Sequence, residues 1–534
     1  MQALAKNSIS ILLLVQVPFL AIYFFPGIAR AQPPPFHWAV AAGGALDDFS
    51  RGIVADASGN TYVTGAFHDV AAFGDVMLTS TGGYDIFVAK YDSTGKVLWA
   101  NSAGSINFDD YGLAVALDTA GNCFITGAFS GDATFGTNTL HDVGGSDIFI
   151  AKYDSSGNLI WVKQAGGVSL NSGRAIAVDI AGNCYVTGVF QGTGPFENTN
   201  LTAHSVADFD VFVAKYDPTG ELVWVQQAGG SLDDVGYGIA VDVGGNCYVT
   251  GYFKSPTASF GNITLLNSSG TNSADIFVVK YDPAGNVLWA KQAGGPDIDY
   301  GYAIAVDSSS NSYLSGVFSG TATFGSITLS NTGSTHFIAK YGGSSGSVLW
   351  AQVISGGTDD GSGAVAVDAV GNAYFTGWFS GTATFGNTNL TSFGKDDVFV
   401  AKFDTTGHQL WVKQAGGTDY DRGYGISVDT FGNAYVAGLF TNVCSFDNFI
   451  LASSGGFDSV VAKLDGPRLS ITHVAGQVVV TWPTNAAGLV LQATTNLATP
   501  GGWVAATNVI VVGDQNTATN SIGAQARFYR LKNP

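Results

Sequence analysis

Apolar and polar residues follow one pattern that recurs seven times between residues 36 and 465. Tryptophan marks the pattern, at positions 38, 99, 161, 224, 289, 350 and 411. Every unit contains four short apolar runs, which in the fifth unit and its closing tryptophan run are residues 303–307, 312–318, 336–341 and 348–352. Each run has the length and composition of a β-strand, and no helical periodicity separates them. The pattern predicts four antiparallel strands per unit, named A to D in chain order.

The connections between these runs predict which ends of the strands carry loops. Strands A and B are joined by Asp-x-x-Gly-Asn, as in residues 118–122, and strands C and D by Asp-x-x-Gly, as in residues 154–157. Aspartate accepts hydrogen bonds from the turn amides and glycine adopts the positive φ of a short hairpin. Tight turns therefore lie on one face, and the longer B–C and D–A connections lie on the other.

Seven units of four strands favour a β-propeller over a sandwich. The repeat begins with a D run at residues 36–40 and ends with a C run at residues 458–463. The last sheet thus lacks an outer strand, which the N-terminal run can supply. We predict an all-β fold, in which residues 32–465 form a seven-bladed β-propeller closed by an N-terminal outer strand.

The repeated motif resembles a known family. The run Ile-Ala-Val-Asp-x-x-Gly-Asn-x-Tyr-Val-Thr-Gly, followed by Asp-x-Phe-Val-Ala-Lys-Tyr-Asp and Leu-Trp, is similar to the bacterial seven-bladed β-propeller repeat (SBBP) family. The resemblance covers about residues 36 to 465 and implies a secreted or surface propeller. The family is not tied to one activity, so the resemblance predicts the fold more than the function.

The two ends of the chain differ from the repeat. Lys6, an apolar run over residues 9–25 and the small residues around Ala31 predict a signal peptide over residues 1–31. Residues 466–534 contain short alternating runs, which predict a small β-sandwich. This segment resembles the fibronectin type III or immunoglobulin-like domains that end many secreted bacterial proteins.

The composition and the net charge limit the classes of molecule that the protein can bind. Charged residues make up 12% of the chain and the net charge is −19, so nucleic acid and anionic membranes are poor partners. After removal of the predicted signal peptide, no apolar run is long enough to span a membrane. The expected location is therefore secreted, periplasmic or at the cell surface.

The sequence contains little that points to catalysis. The four cysteines are expected to be free, buried thiols, and the seven histidines show no metal-ligand spacing. Residues 89–99 resemble the tryptophan-docking motif of quinoprotein dehydrogenases, but a docking tryptophan also suits any blade of this kind. Aspartate at the end of strand A and lysine in strand C recur in every unit, so we interpret them as turn caps and ion pairs.

Positions that differ between the units are better candidates for ligand binding. An acidic position in the D–A connection predicts cation-binding residues, with Ca²⁺ as the cation, at Asp48, Asp110, Asp234, Asp299, Asp360 and Asp421. Arginine and tyrosine near the expected channel mouth predict ligand-binding residues at Arg51, Arg174, Tyr237, Tyr302, Tyr424 and Arg422.

Two functional hypotheses follow from these residues. The first is an exported, non-catalytic binding or scaffold protein that recognises a protein or a glycan on the D–A and B–C face and needs no cofactor. The alternative is an enzyme acting on polysaccharide, with two of the loop aspartates as acid and base.

Overall fold

In this computed structural model, residues 33–270, 273–354 and 363–466 are described, together with separate strand segments between Ser470 and Lys532. The regular elements of this described part are all β-strands, in agreement with the predicted all-β class. Among the same residues, no helix is long and apolar enough to cross a membrane. The predicted signal peptide, residues 1–31, lies outside the described residues.

The described residues form seven antiparallel sets of four strands, ordered A-B-C-D within each set. The A strands are Phe49–Ala55, Tyr111–Leu117, Ser172–Val178, Asp234–Val241, Tyr300–Val306, Ala364–Val367 and Asp421–Val428. The B strands are Thr61–Phe73, Cys123–Phe129, Cys184–Gln191, Cys247–Phe253, Ser312–Phe324, Ala373–Phe385 and Ala434–Phe440. The C strands are Val76–Tyr91, Asp147–Tyr153, Phe209–Tyr216, Asp275–Tyr281, Ile327–Tyr341, Thr388–Phe403 and Asp458–Leu464. The D strands are Val97–Ser105, Leu159–Ala165, Leu222–Gly229, Val287–Ala293, Val348–Val353, Gln409–Gly417 and the N-terminal Phe36–Gly44.

The N-terminal strand occupies the outer position of the last set. Trp38 lies opposite Lys463 and Ala41 lies opposite Val460, in an antiparallel ladder. This is the partner that the strand count predicts for it. The pairing joins residues that are more than 400 positions apart and covers an otherwise open sheet edge.

The B–C connections form hairpins that reach back to the preceding set. Four of them are separate strand pairs: Asp132–Phe135 with Asn138–His141, Thr193–Phe196 with Thr199–Thr202, Thr257–Phe260 with Ile263–Leu266, and Val443–Phe446 with Phe449–Ala452. In the others, strands B and C simply continue into the hairpin. Phe260 pairs with Ala228 of the preceding D strand, and Ser445 pairs with Gly416 in the same way. Backbone hydrogen bonds therefore link neighbouring sets as well as strands within a set.

The repeated tryptophan contacts the C–D turn of the next set at six of its seven positions, the exception being Trp411. The indole Nε1 of Trp99 donates to the Ser155 carbonyl, 3.2 Å away, in the next C–D turn. The ring lies against Gly157 of that turn, where a Cβ would come 2.9 Å from the indole. Gly157 also has φ of +89°, so glycine is required there for two reasons. Trp38 makes the same contacts with Ser93 and Gly95 of the first set.

The repeated aspartate and lysine also have structural roles. In the A–B turn after the third A strand, the Asp179 carboxylate accepts hydrogen bonds from the backbone N–H of Ala181 and Asn183. The lysine of strand C forms an ion pair with such an aspartate in several sets, as Lys340 does with Asp307 at 3.2 Å. These contacts agree with the interpretation of both residues as parts of the repeat.

The cysteine prediction is confirmed for all four residues, which are free and buried. Cys123, Cys184 and Cys247 each begin strand B, opposite a tyrosine of strand C. Burial raises the pKa of each thiol, so the reactive thiolate is disfavoured.

The C-terminal region contains two small antiparallel sheets. One is built from Ser470–Val474, Gln477–Pro483, Gln515–Ser521 and Val509–Val512, and the other from Val504–Ala505, Val490–Thr494 and Phe528–Lys532. Val480, Trp482 and Ala518 of the first sheet share a buried core with Leu491 of the second. Two sheets around one core suit the predicted sandwich, and its immunoglobulin-like class remains a prediction.

Removing the Trp38 ring should destabilise the repeat region. Trp38 is 5% exposed, packs against Tyr435 of the last set and hydrogen-bonds to the first set. We expect Trp38→Ala to lower the free energy of unfolding by about 3–5 kcal/mol, measured by urea denaturation. Leu98→Ala is the control, because Leu98 is 51% exposed in another D strand, and its cost should stay below about 1 kcal/mol. Equal effects of the two substitutions would contradict the role of Trp38.

Candidate binding face

The loop aspartates are buried within their own connections. The structure describes five of the six, Asp48, Asp110, Asp234, Asp299 and Asp421, and each is fully buried; Asp360 lies outside the described residues. The Asp299 carboxylate accepts hydrogen bonds from the backbone N–H of Gly295 at 2.7 Å and of Ser319 at 3.2 Å. Each aspartate in this way ties its connection to the end of the following B strand or to its own loop.

Burial changes the acidity of these carboxyl groups. Removal from water raises the pKa of Asp48, Asp234 and Asp299 to about 7 and that of Asp421 to about 8, and it also raises the pKa of Asp110. Hydrogen bonds from backbone amides oppose this shift, as those from Gly295 and Ser319 do at Asp299. Within the described residues, no three His, Cys, Asp or Glu side chains are grouped to hold a metal. Calcium binding by the loop aspartates therefore remains a prediction.

Four tyrosines form one cluster on the D–A and B–C face. This tyrosine cluster consists of Tyr237, Tyr252, Tyr300 and Tyr302, with ring centroids between 4.4 Å and 5.9 Å apart in the contacting pairs. Tyr252 is 8% exposed, whereas the other three are partly exposed. The Arg174 guanidinium lies 5.0 Å from the centroid of the Tyr237 ring. Two of the predicted tyrosines and one predicted arginine are thus brought together.

The remaining predicted residues lie around Arg51. Its guanidinium is 4.0 Å from the Tyr424 ring centroid and 5.0 Å from that of Phe49. Tyr424 in turn contacts Trp378, with ring centroids 5.2 Å apart. Arg51 and Arg174 each have a buried Nε that makes no hydrogen bond. Their positions are therefore held by stacking on aromatic rings rather than by carboxylates.

Arg422 differs from the other two arginines because it forms an ion pair. Its Nε lies 2.7 Å and its Nη2 lies 2.6 Å from Oδ2 of Asp396, which is 3% exposed. The guanidinium also lies 5.2 Å from the Trp378 ring centroid and 5.0 Å from that of Tyr420. A ligand on this face would find Arg422 already engaged by a carboxylate, so its main contribution is to fix the neighbouring rings.

Sequence reasoning missed several aromatic members of these clusters. Tyr252 and Trp378 follow the strand B glycine, where the other repeats carry Ala, Val or Leu. Phe49 and Tyr300 lie two residues before the Arg51 and Tyr302 positions. Comparing the repeats at the first position would have found Tyr252 and Trp378, because both replace small or aliphatic residues. The second position varies more widely, since it also holds Tyr111 and Arg422.

A cavity of about 390 Å³ lies elsewhere, at the outer part of the face. It is lined by Ser268, Gln292, Gly294 and Thr323 together with neighbouring residues. The lining has few aromatic or charged groups, so the tyrosine cluster is the better candidate for recognition.

Three segments of the chain match the family model of the SBBP β-propeller repeat, at residues 223–252, 288–317 and 410–439. Each segment runs from strand D through the next strand A into strand B. These three segments of the chain are thus similar to a β-propeller repeat.

Curated relatives and solved structures were also found. The chain is 24% identical over 488 residues to an uncharacterized WD repeat-containing protein of Acanthamoeba polyphaga mimivirus, covering 74% of this chain and 34% of the relative. It is 31% identical over 114 residues to the regulatory protein FlaEY of Caulobacter vibrioides, covering 21% of this chain and 12% of that protein. BamB from Moraxella catarrhalis aligns with a TM-score of 0.34 and 14% identity, over 83% of this chain and 94% of that one. Quinohemoprotein alcohol dehydrogenase from Comamonas testosteroni aligns with a TM-score of 0.39 and 12% identity, over 84% and 79%. The chain spans about a third of the length of the first curated relative.

A double-mutant cycle should separate the Arg422–Asp396 pair from surface ion pairs. We expect a coupling free energy of about 2 kcal/mol between Arg422→Met and Asp396→Ala in urea unfolding. Asp396 is buried, and both Nε and Nη2 of Arg422 contact its Oδ2. Lys395 and Asp419 form the matched control, since they lie 2.8 Å apart on the same face with Lys395 exposed. Their cycle should give a clearly smaller coupling. Equal couplings would show that burial of Asp396 adds nothing.

Proposed function

We propose that this protein is an exported, non-catalytic β-propeller that binds a glycan on the face formed by its D–A and B–C connections. In this proposal the seven strand sets are the blades of one closed ring. Contacts between the first and last sets support the closure. The backbone N–H of Ala55 donates to the Ser427 hydroxyl at 3.0 Å, and a Cβ on Gly425 would come 3.0 Å from the Arg51 carbonyl.

The tyrosine cluster is the observation that carries the proposal. Tyrosine presents an apolar ring for the C–H face of a sugar and a hydroxyl for its polar groups. Three rings of the cluster are partly exposed, so a ligand can reach them without a rearrangement of the strands. Arg174 adds donor groups at the edge of the same surface.

The charge of the face favours a neutral glycan over an acidic one. Asp47, Asp109, Asp233, Asp297 and Asp419 lie in the same D–A connections and are at least partly exposed. With a net charge of −19 for the whole chain, a polyanion would be repelled as it approached. An uncharged polysaccharide meets no such barrier.

The alternative, a polysaccharide-acting enzyme, has less support. Its acid and base would come from the loop aspartates, and the five described ones are fully buried and hydrogen-bonded to backbone amides. Glycoside hydrolysis requires two carboxyl groups that touch the substrate. Export is predicted from the sequence alone and is part of the proposal. A role for the C-terminal sheets as a spacer or a second contact is also part of it.

Binding to immobilised neutral polysaccharides, such as a β-glucan and a mannan, tests the proposal. We expect Tyr237→Ala combined with Tyr302→Ala to weaken binding at least about tenfold, because aromatic anchors dominate such surfaces. Arg51→Ala combined with Arg174→Ala should also weaken it. Phe431→Ala is the control and should leave binding unchanged. Phe431 is 69% exposed on the opposite face, which carries the tight turns. Unchanged binding by both double variants would overturn the proposal, as would a wild-type protein that binds none of the polysaccharides.

A further inference from the structure

A second set of buried aspartates lies in the C strands. Six units carry such an aspartate, and each is at most 2% exposed: Asp85, Asp147, Asp210, Asp275, Asp397 and Asp458. The fifth unit has no aspartate at this position. One carboxylate oxygen is well satisfied: Oδ2 of Asp275 accepts from the Ser268 hydroxyl and amide and from Gln292. The other oxygen, Oδ1, is buried and makes no hydrogen bond in Asp85, Asp210, Asp275, Asp397 and Asp458.

In three sets the unpartnered oxygen and an oxygen of a loop aspartate lie on either side of a glycine in the connection that leads to the next set. The equivalent residues of two further sets, Asp85 with Asp110 and Asp397 with Asp421, interact electrostatically. A Cβ placed on Gly294 would lie 2.7 Å from Oδ1 of Asp275 and 2.9 Å from Oδ2 of Asp299. A Cβ placed on Gly43 would lie 2.7 Å from Oδ1 of Asp458 and 2.8 Å from Oδ2 of Asp48. Two carboxylate oxygens thus flank one buried point in each of these connections.

One repeat carries a natural substitution at this site. The connection after the second set has Asn171 in place of the loop aspartate. Around Gly166, Nδ2 of Asn171 takes the position that Oδ2 of Asp299 takes around Gly294. It lies 3.4 Å from Oδ1 of Asp147 and donates to it. Accordingly, Asp147 is the one C-strand aspartate of the six whose Oδ1 has a partner among the described residues.

Asparagine has the shape of a protonated aspartic acid, with a donor where the acid carries its proton. We propose that the five aspartate pairs are proton-binding sites, in which each loop aspartate is a neutral acid whose Oδ2–H donates to the unpartnered Oδ1 of the C-strand aspartate. The pairs are Asp48 with Asp458, Asp110 with Asp85, Asp234 with Asp210, Asp299 with Asp275, and Asp421 with Asp397. This inference concerns the scaffold and is independent of the proposed glycan binding.

The surroundings of the pairs oppose ionisation of both members. Two carboxylates this close cannot both be charged without a large cost. Further acidic groups face them: Asp47 faces Asp48, Asp109 faces Asp110, Asp297 faces Asp299, and Asp396 and Asp419 face Asp421. Two imidazoles also lie near the pairs: Nδ1 of His204 lies 2.6 Å from Oδ2 of Asp210, and His68 lies near Asp85. Cys444 adds a buried thiol beside Asp421 and Asp397.

The Asp275–Asp299 pair gives the clearest test, because the ionisable neighbour that faces it is Asp297 alone among the described groups. Its proton is held more tightly in the folded protein, where the pKa of Asp299 is about 7, than in the unfolded chain, where the ordinary value is 3.8. The stabilisation is therefore complete below about pH 4 and is lost as the pH rises through 7. The wild-type unfolding midpoint should fall between pH 5 and pH 8.

Two variants distinguish the proton of an aspartate pair from the titration of other groups in the protein. Asp299→Asn should reduce the fall in midpoint between pH 5 and pH 8, since the amide supplies the donor at every pH. Asn171→Asp, which creates a sixth pair, should enlarge the fall. Infrared spectra in heavy water provide a direct readout, because protonated carboxyl groups absorb above the amide I band. We expect this absorption in the folded wild type at pH 6, and a weaker band in Asp299→Asn.

The outcomes against the proposal are equally definite. Absence of the carboxylic acid band at pH 6 would overturn it, and so would identical pH dependence in Asp299→Asn, Asn171→Asp and the wild type. Unfolding in calcium chloride at pH 8 distinguishes a bound cation from a bound proton at the aspartate pairs. If Ca²⁺ raises the unfolding midpoint of the wild type but not of Asp299→Asn, the pairs are cation sites instead. Because the asparagine variant reproduces an arrangement already present at Asn171, it is expected to fold.

Discussion

The stacking of a tryptophan on the next turn is the constraint on which the repeat depends. Six of the seven indole rings cover a turn glycine of the following set and donate to a carbonyl in the same turn, as Trp224 does with Gly285 and Pro283. The strand C lysine donates to that carbonyl too, as Lys215 does. Three groups of one set thus hold one short turn of the next, and this fixes the angle between them. The conformations of the D–A connections on the other face follow from that angle.

The strand pattern was predictable because each element is specified locally. Turn aspartates and glycines determine the hairpins, and alternation of small and large residues determines strand A. The partner of the N-terminal strand followed from counting, since only one sheet lacked an outer strand. The reach of the B–C hairpins to the preceding set, such as Ser259 opposite Gly229, was not predictable. Those hairpins share a short motif, which is Gly-Thr-Ala-Thr-Phe-Gly at both residues 320–325 and 381–386, but their pairing depends on the placement of the neighbouring sheet.

The candidate site was predictable only in part, for a physical reason. Arg51, Arg174, Tyr237 and Tyr302 were chosen because they vary between repeats, and the structure brings them into two aromatic clusters. The loop aspartates were chosen as possible ligands for a cation, but in the folded chain each accepts backbone hydrogen bonds inside its connection. The C-strand aspartates escaped notice because a recurring polar residue beside a strand is usually a turn cap. Their pairing with the loops depends on contacts between residues about 24 positions apart in four pairs and 410 positions apart in the pair of Asp48 with Asp458.

The position of the N-terminal strand has a consequence for how the molecule is made. Phe36–Gly44 leaves the ribosome before the other described strands, yet its partner Asp458–Leu464 is synthesised more than 400 residues later. Closing so long a loop is entropically costly and must wait for the last set. Earlier sets can assemble one after another through their indole contacts as they emerge. The segment around Trp38 therefore lacks its strand C partner until the last set is synthesised, although the C–D turn of the first set can already cover the Trp38 ring.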